Sequence, residues 1–298
     1  LQELQDRFDL RGVVGNGIDV QVLAEAGAAD TDLLIACAAQ DETNLVCCKI
    51  AHMVFGVRTR VARVRAAGFD VSQPLLGPEG FAVDTIICPE TSVMRYILKL
   101  IEYPDALQVR EFAGGRACLS SVRARLGAPG VGMRIGDVRM HHPELAMRIV
   151  AIYRRFADEP DRFVRCDGST RIEPGDEVFV LAASEHLQQM LNVFHRPSGQ
   201  PARAVRRILI AGGDPVSLHL AQALATEPGR FIVKIIESDP RRCEVLASAL
   251  PSEVLVLQGN PTDEDLFADE SVEETDLFLA LTEDDENNIM ASLLAKRR

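Results

Sequence analysis

Gly212 and Gly213 close one apolar run, Arg207-Ile208-Leu209-Ile210-Ala211, and an acid, Glu237, closes the next, Phe231 to Ile236. Between them, Val216, Leu220, Ala223 and Leu224 recur at helical spacing behind Asp214-Pro215. Strand, glycine turn, helix, strand and terminal acid form the first half of a dinucleotide-binding unit. Glycines let the backbone approach a pyrophosphate, and the helix start supplies free N–H groups. The carboxylate, 25 residues after Gly212 (237 − 212), can accept ribose hydroxyls. Gly212, Gly213, Asp214, Pro215, Val216 and Glu237 are therefore candidate binding residues.

The fingerprint is incomplete. A G-x-G-x-x-G placed from Gly212 calls for glycine at 214 and 217, where the chain has Asp214 and Ser217. A carboxylate at the second position repels a pyrophosphate, and Ser217 adds bulk where helix and strand pack closely. Pro215 suits the first turn of a helix. The Asp214 side chain could instead cap the helix that starts at Pro215. Two readings stay open: a weakened nucleotide site, and a Rossmann-like domain that has kept its fold and lost its ligand.

Other residues that could do chemistry have plainer alternatives. Glu283-Asp284-Asp285-Glu286 could hold a divalent cation, or could form an acidic first helical turn behind Thr282, favoured by the helix dipole. His141-His142 before Pro143 reads as a solvated turn rather than a metal site. No Ser/His/Asp or Cys/His arrangement suggests nucleophilic catalysis. A dehydrogenase would need an acid/base group facing the nicotinamide, and the middle of the chain offers no candidate. A non-enzyme is expected.

The elements that must position these residues come from a chain of 298 residues, long enough for two or more domains. Nearly half of it is apolar, yet no run approaches the roughly 20 residues needed to cross a bilayer. The net charge of −12 argues against nucleic acid as a partner. The Arg58, Arg60, Arg63 and Arg65 cluster reads as a solvated face or a local anion site. Seven cysteines without C-x-x-C spacing suggest a reducing cytoplasm, with Cys47-Cys48 in a core. Leu1-Gln2-Glu3 shows no signal peptide and reads as the interior of a longer chain.

In order, Leu1 to Leu10 reads as a helix end and residues 12–17 as a short strand running into a turn. Asp19 to Ala26 reads as a helix with Val22 and Leu23 inward. Asp32 to Ala38 reads as a buried strand, Leu45 to Val54 as a helix, and Arg60 to Arg65 as a strand. The pattern returns: Gly15-Asn16 matches Gly259-Asn260 at an offset of 244 (259 − 15), and Asp19, Thr31-Asp32, Ala36 and Asp41-Glu42-x-Asn44 find partners at that same offset. The chain contains a duplication. The glycine turn and acid of the second copy precede Gly259, so their equivalents in the first copy fall before residue 1, and both copies are expected to be truncated. The Asp/Glu-x-Asn tetrads could position a nucleotide or cap their helices.

Five segments result: a first Rossmann-like domain, 1–90, lacking its glycine loop; a crossover helix, 91–106; a small α+β domain, 107–196; a linker, 197–206; and a second Rossmann-like domain, 207–298. Val93, Tyr96, Ile97, Leu100 and Ile101 share a face of the crossover helix. The fold class is α/β, with two parallel-sheet domains flanking the α+β domain.

Leu4-Gln5-Asp6-Arg7-Phe8-Asp9-Leu10-Arg11, the two D-E-x-N helices, and Leu100-Ile101-Glu102-Tyr103-Pro104-x-Ala106-Leu107-Gln108-Val109 carry a resemblance. So do Gly168-Ser169-Thr170, Gly175-Asp176-Glu177-Val178-Phe179, and Asn288-Ile289-Met290 running on to Arg297. Together these residues make the whole chain similar to the nucleotide-binding subunits of bacterial Trk potassium uptake systems, within the wider family of potassium-conductance-regulating (KTN/RCK) domains. The resemblance implies a cytoplasmic regulatory subunit, peripheral on the inner face of the plasma membrane. It implies a TrkH/TrkG-like membrane transporter subunit as partner, a homo-oligomeric, tetrameric ring, and NAD(H) or ATP as the bound nucleotide. Carried over by position, the second site would use Gly212, Gly213, Glu237, Gly259, Asn260, Thr282 and Glu283. The first would use Ala38 and Ala39 after their strand, and Arg63. Ala38 stands where the second copy has Thr282, a better helix cap.

Overall fold

A computed structural model describes residues 5, 7–65, 73–156, 160–197, 200 and 204–297. The chain divides into two compact units, Leu1–Ser92 and Val93–Arg298. In the first, helix α1 (Val20–Glu25) starts behind the Asp19 cap, whose side chain accepts the Gln21 N–H. Strand β1 (Leu33–Ala36), helix α2 (Asp41–Phe55) and strands β2 (Thr59–Arg63) and β3 (Thr85–Ile87) follow. The strands form a parallel sheet in the order β1-β2-β3. Leu23, Leu45, Cys47, Cys48, Ala62 and Val83 close its core. Burial pushes the Cys48 thiol up to about 12, so it packs as an inert apolar group.

Helix α3 (Pro89–Glu102) starts in the first unit and runs on into the second, where a five-stranded antiparallel sheet follows. Its strands are β4 (Ala106–Phe112), β5 (Ala117–Arg123), β6 (Met147–Arg154), β7 (Arg162–Val164) and β8 (Glu177–Ala183), in the order β4-β5-β8-β6-β7. Helix α4 (Ile135–His141) lies between β5 and β6, and helix α5 (Leu187–His195) buries Leu187, Met190, Leu191 and Phe194 in the core of this domain. Then come β9 (Arg207–Ala211), α6 (Pro215–Ala225), β10 (Ile232–Glu237), α7 (Pro240–Ala249), β11 (Val254–Gln258), α8 (Glu264–Asp269), β12 (Leu277–Ala280) and α9 (Asp285–Arg297). Their strands are all parallel, in the order β11-β10-β9-β12. That order reverses direction between β9 and β12, which puts the ligand crevice of such a fold at the carboxyl ends of those strands. From α3, Ile97 and Ile101 enter the core of this sheet with Ile208, Ile210 and Leu220.

The duplication is visible as structure. Val20–Glu25 and Glu264–Asp269 are both helices, and Leu33–Ala36 and Leu277–Ala280 are both strands, each pair offset by 244 (264 − 20 and 277 − 33).

Several local readings change. Residues 12–17 form no strand: their counterpart β11 is a strand because it pairs with β10, and the first unit has no such neighbour among the described residues. Asp32 to Ala38 is a strand only over β1, and only one side of it is covered: Ala36 is buried and Leu34 packs on the core, while Leu33 and Ile35 are 49 % and 57 % exposed. Its counterpart β12 pairs with β9 and packs Leu277 and Leu279 against a core, whereas among the described residues β1 pairs with β2 alone. The buried stripe of α3 runs through Ile97 and Ile101 with Met94 and Leu98 packed beside them, leaving Val93 exposed. Arg60 is not solvated: it is buried, donates to the Ala82 carbonyl at 2.5 Å and pairs with Asp84 at 2.9 Å. Of the helix end expected at Leu1 to Leu10, residues 1–4 and 6 lie outside the described residues, as does most of the linker between Pro197 and Val205. Among the described residues no helix is long and apolar enough to cross a membrane.

Candidate nucleotide site

At the end of β9 the chain turns on Gly212, whose φ of +106° favours glycine. A Cβ there would lie 2.6 Å from the Leu281 carbonyl oxygen, and one on Gly213 would lie 2.6 Å from Leu246 Cδ1 and 2.8 Å from Glu237 Oε2. Gly212 is required by its φ and by the backbone it approaches, whereas a side chain at Gly213 would have to displace the ends of Leu246 and Glu237. The Gly212 N–H extends the β9–β10 ladder to the Ile236 carbonyl at 2.8 Å.

Glu237 ends β10 beside this turn and is 6 % exposed. Its Oε2 accepts the Gly213 N–H at 2.6 Å, and its Oε1 accepts the Asp239 N–H at 2.7 Å and the Ser238 hydroxyl at 3.3 Å. A buried carboxylate requires such partners. The acid and the glycine turn, 24 residues apart, are therefore in contact.

Asp214 is the N-cap of α6. Its Oδ1 accepts the Ser217 N–H at 2.8 Å, with Pro215 at the first helical position and Val216 and Ser217 buried behind it. Burial pushes its carboxyl up from the ordinary value; the bond from the Ser217 N–H opposes this, and the nearby Glu283 charge adds to it. Of the alternatives open at this position, the helix cap is the one seen.

On the far side of Glu237, Gly259 donates to the Glu237 carbonyl at 2.9 Å, and the Asn260 Oδ1 accepts the Thr262 N–H at 2.9 Å, building the turn into α8. Past β12, Thr282 does not cap α9. Its N–H and hydroxyl both donate to Asn288 Oδ1 at 2.8 Å, and Asn288 Nδ2 donates back to the Thr282 carbonyl at 2.9 Å. The capping bond comes from Asp284, which accepts the Asn287 N–H at 2.7 Å. Glu283 pairs with Arg242 of α7 at 2.6 Å. Since β9 lies between β10 and β12, this exposed pair spans the end of β9.

In the first unit, Ala38, Ala39 and Arg63 meet at the carboxyl ends of β1 and β2. Asn44 accepts the Ala38 N–H at 2.6 Å and donates to the Ala38 and Arg63 carbonyls at 3.0 and 2.9 Å. Arg63 pairs with Glu90 at 3.3 Å, and its Nε is buried without a hydrogen-bond partner among the described residues. Ala39 gives its carbonyl to Arg65. The two Asp/Glu-x-Asn asparagines thus do the same work: each clamps the loop that follows its strand.

Of the residues at this site, Arg242 is the one the sequence reading missed. The repeated tetrad marked Asn288, whereas the partner of Arg242 lies 41 residues away and left no local signal. Among the described residues no group of His, Cys, Asp or Glu side chains is placed to hold a metal.

The family profile of the TrkA-N domain matches residues 1–89 and 208–298, and that of the TrkA-C domain matches residues 119–195. The Trk system potassium uptake protein TrkA of Halomonas elongata is 41 % identical over 297 residues, covering 100 % of this chain and 62 % of that protein. Those of Vibrio alginolyticus and Haemophilus influenzae are 39 % and 38 % identical over 298 residues, with the same coverage. The chain spans about 62 % of the length of these curated relatives. Among solved structures, the GsuK RCK domain is 17 % identical with a TM-score of 0.63, covering 99 % of this chain and 59 % of that one. The GsuK channel bound to NAD is 16 % identical with a TM-score of 0.54, covering 99 % and 53 %. At these identities the structural likeness speaks for the fold.

Proposed function

The chain belongs to the TrkA family, and on that premise we propose that it is a nucleotide-responsive regulatory module of a potassium uptake system, acting on a membrane transporter rather than as an enzyme. The observation that carries this reading is the contact between Glu237 and the Gly213 N–H at the switch point of a parallel sheet. That geometry holds a carboxylate where the ribose hydroxyls of a bound dinucleotide donate. The relatives are named for potassium uptake, and one solved neighbour of the same fold is described as bound to NAD.

The cradle favours one end of such a ligand and opposes the other. Glu237 is fixed, buried and able to accept further hydrogen bonds. Asp214 stands at the N-terminus of α6, where a pyrophosphate needs positive potential and free N–H groups, and its side chain already takes the Ser217 N–H. NAD(H) or ATP would therefore bind the second site weakly. The first site, with Ala38, Ala39 and Arg63, would carry more of the response; the unpartnered Arg63 Nε supports a role there. Occupation of the second crevice would bear on the Arg242–Glu283 pair, and through it on the spacing of α7 and the Leu281–Asp284 loop. This is the kind of two-position element that a regulator can pass to an assembly. A homo-oligomeric ring on the cytoplasmic face of the membrane completes the proposal.

The Asp214 cap also favours a second reading, an assembly scaffold with dead sites. Calorimetric titration of the full-length protein with NADH, NAD and ATP separates the two. Saturable binding that Glu237→Ala weakens supports the regulator, and no binding of any of the three leaves the scaffold. Steady NADH oxidation with hydroxy- or keto-acid substrates would support neither and indicate a dehydrogenase.

A further inference from the structure

Arg123, Arg125 and Arg196 line one cavity of about 500 Å³ in the antiparallel-sheet domain, together with His195 and Asp105. In a chain of net charge −12, three guanidiniums around a cavity that contains one carboxylate reverse the prevailing sign. The arginines are held on fixed backbone. The Ala124 and Arg125 N–H groups donate to the Asp176 and Phe194 carbonyls at 2.8 and 2.9 Å, and His195 Nδ1 lies 2.9 Å from the Arg123 carbonyl. Arg196 pairs with Asp105, and Arg123 donates to the Gly175 carbonyl at 3.1 Å with Glu177 3.9 Å away. Those contacts account for the charge of Asp105 and orient two of the guanidiniums. Arg125 is exposed and meets no carboxylate among the described residues. Pro104 and Leu107 supply an apolar wall. The volume falls in the range of small-molecule sites.

We propose that this cavity binds a small phosphate-bearing anion, with Arg125 and Arg123 as the forks that hold its oxygens. A guanidinium presents paired donors in a plane that matches phosphate geometry, and a positively lined, half-apolar pocket favours such an ion over neutral solutes. The site is built from the β4, β5 and α5 ends and shares no residue with the glycine-turn crevice.

The test is calorimetric titration of the full-length protein, at low salt so that charge is little screened, with inorganic pyrophosphate. Wild type should show saturable binding. Arg125→Glu should weaken it at least tenfold, whereas Arg230→Glu, the same change of charge on a surface residue of the parallel-sheet domain, should alter it less than twofold. Arg125 is exposed and its side chain bonds to no other group among the described residues, so the variant should fold as wild type does. Phenyl phosphate and inorganic phosphate identify the source: tighter binding of the ester points to an organic phosphate, the reverse order to the free ion, and either supports the site. No saturable binding, equal weakening by both variants, or weakening by Asp214→Glu in place of Arg125→Glu would overturn it.

Discussion

Glu237 Oε2 accepts the Gly213 N–H at 2.6 Å, joining the ends of two adjacent parallel strands through one buried carboxylate. The bond is charge-assisted and shielded, which gives it more strength than a neutral surface bond. It fixes the acid over the glycine turn before any ligand arrives, so a ribose there meets an acceptor already in position.

Replacing that carboxylate should be felt in affinity and in selectivity. Glu237→Gln keeps the shape and one acceptor oxygen but loses the charge. NADH affinity should fall about tenfold, on the order of 1.4 kcal/mol. Wild type should prefer NAD to NADP, because a carboxylate repels a 2′-phosphate, and the variant should lose most of that preference. Competition titrations check both; equal affinity of wild type for NAD and NADP would remove Glu237 from the site.

Asp214 makes a prediction about pH. Its folded carboxyl is held above the ordinary value of 3.8, chiefly by burial. The unfolded chain therefore releases this proton first as pH rises, and the group subtracts stability from about pH 3.8 upward, reaching its full cost above the folded value. Asparagine caps helices about as well as aspartate. Asp214→Asn should accordingly be more stable than wild type at pH 7 and indistinguishable from it below the ordinary value. Thermal melts from pH 3 to pH 8 would show a gap that widens with pH; a constant or reversed gap would contradict the burial argument.

What the sequence made legible was whatever rests on local spacing. The glycine turn, the acid closing the next strand and the offset of 244 are patterns of residue type along the chain, and the structure realises each of them. What it concealed depends on neighbours distant in sequence. Leu33 and Ile35 have the composition of a buried strand, but burial needs a second strand beside β1, and the described residues of the first unit place none there. Thr282 has the chemistry of a cap, yet Asn288 engages its hydroxyl and leaves Asp284 to serve. By sequence Arg60 belongs to a cluster that reads as a solvated face or a local anion site, and only the fold reveals the carbonyls of Val57 and Ala82 around it.

That buried arginine makes the Asp84 pair costly to break. Two bonds tie the residues together, Arg60 Nη2 to Asp84 Oδ1 at 2.9 Å and the Arg60 N–H to Asp84 Oδ2 at 2.7 Å. Asp84→Ala would leave a guanidinium that is 7 % exposed without its counter-charge. Loss of one partner from a fully buried pair costs about 3–5 kcal/mol, and the partial exposure of Asp84 reduces that to about 2–3 kcal/mol. Urea denaturation monitored at the first unit should show the loss, while Asp84→Asn, whose single amide oxygen can accept only one of the two bonds, should recover only part of it.

The central claim is that a nucleotide binds at Gly212-Gly213 and Glu237 and that Asp214 holds its affinity down. Two like charges roughly 4 Å apart cost about 1 kcal/mol in water and about 4 kcal/mol at an effective dielectric near 20. Removing one of them at this half-enclosed turn should raise affinity by about one to three powers of ten. The direct measurement is an NADH titration of the full-length protein carrying Arg63→Glu to disable the first site, with and without Asp214→Asn. At least a tenfold tighter constant is expected for the asparagine variant; an unchanged or weaker constant would show that Asp214 does not oppose the ligand.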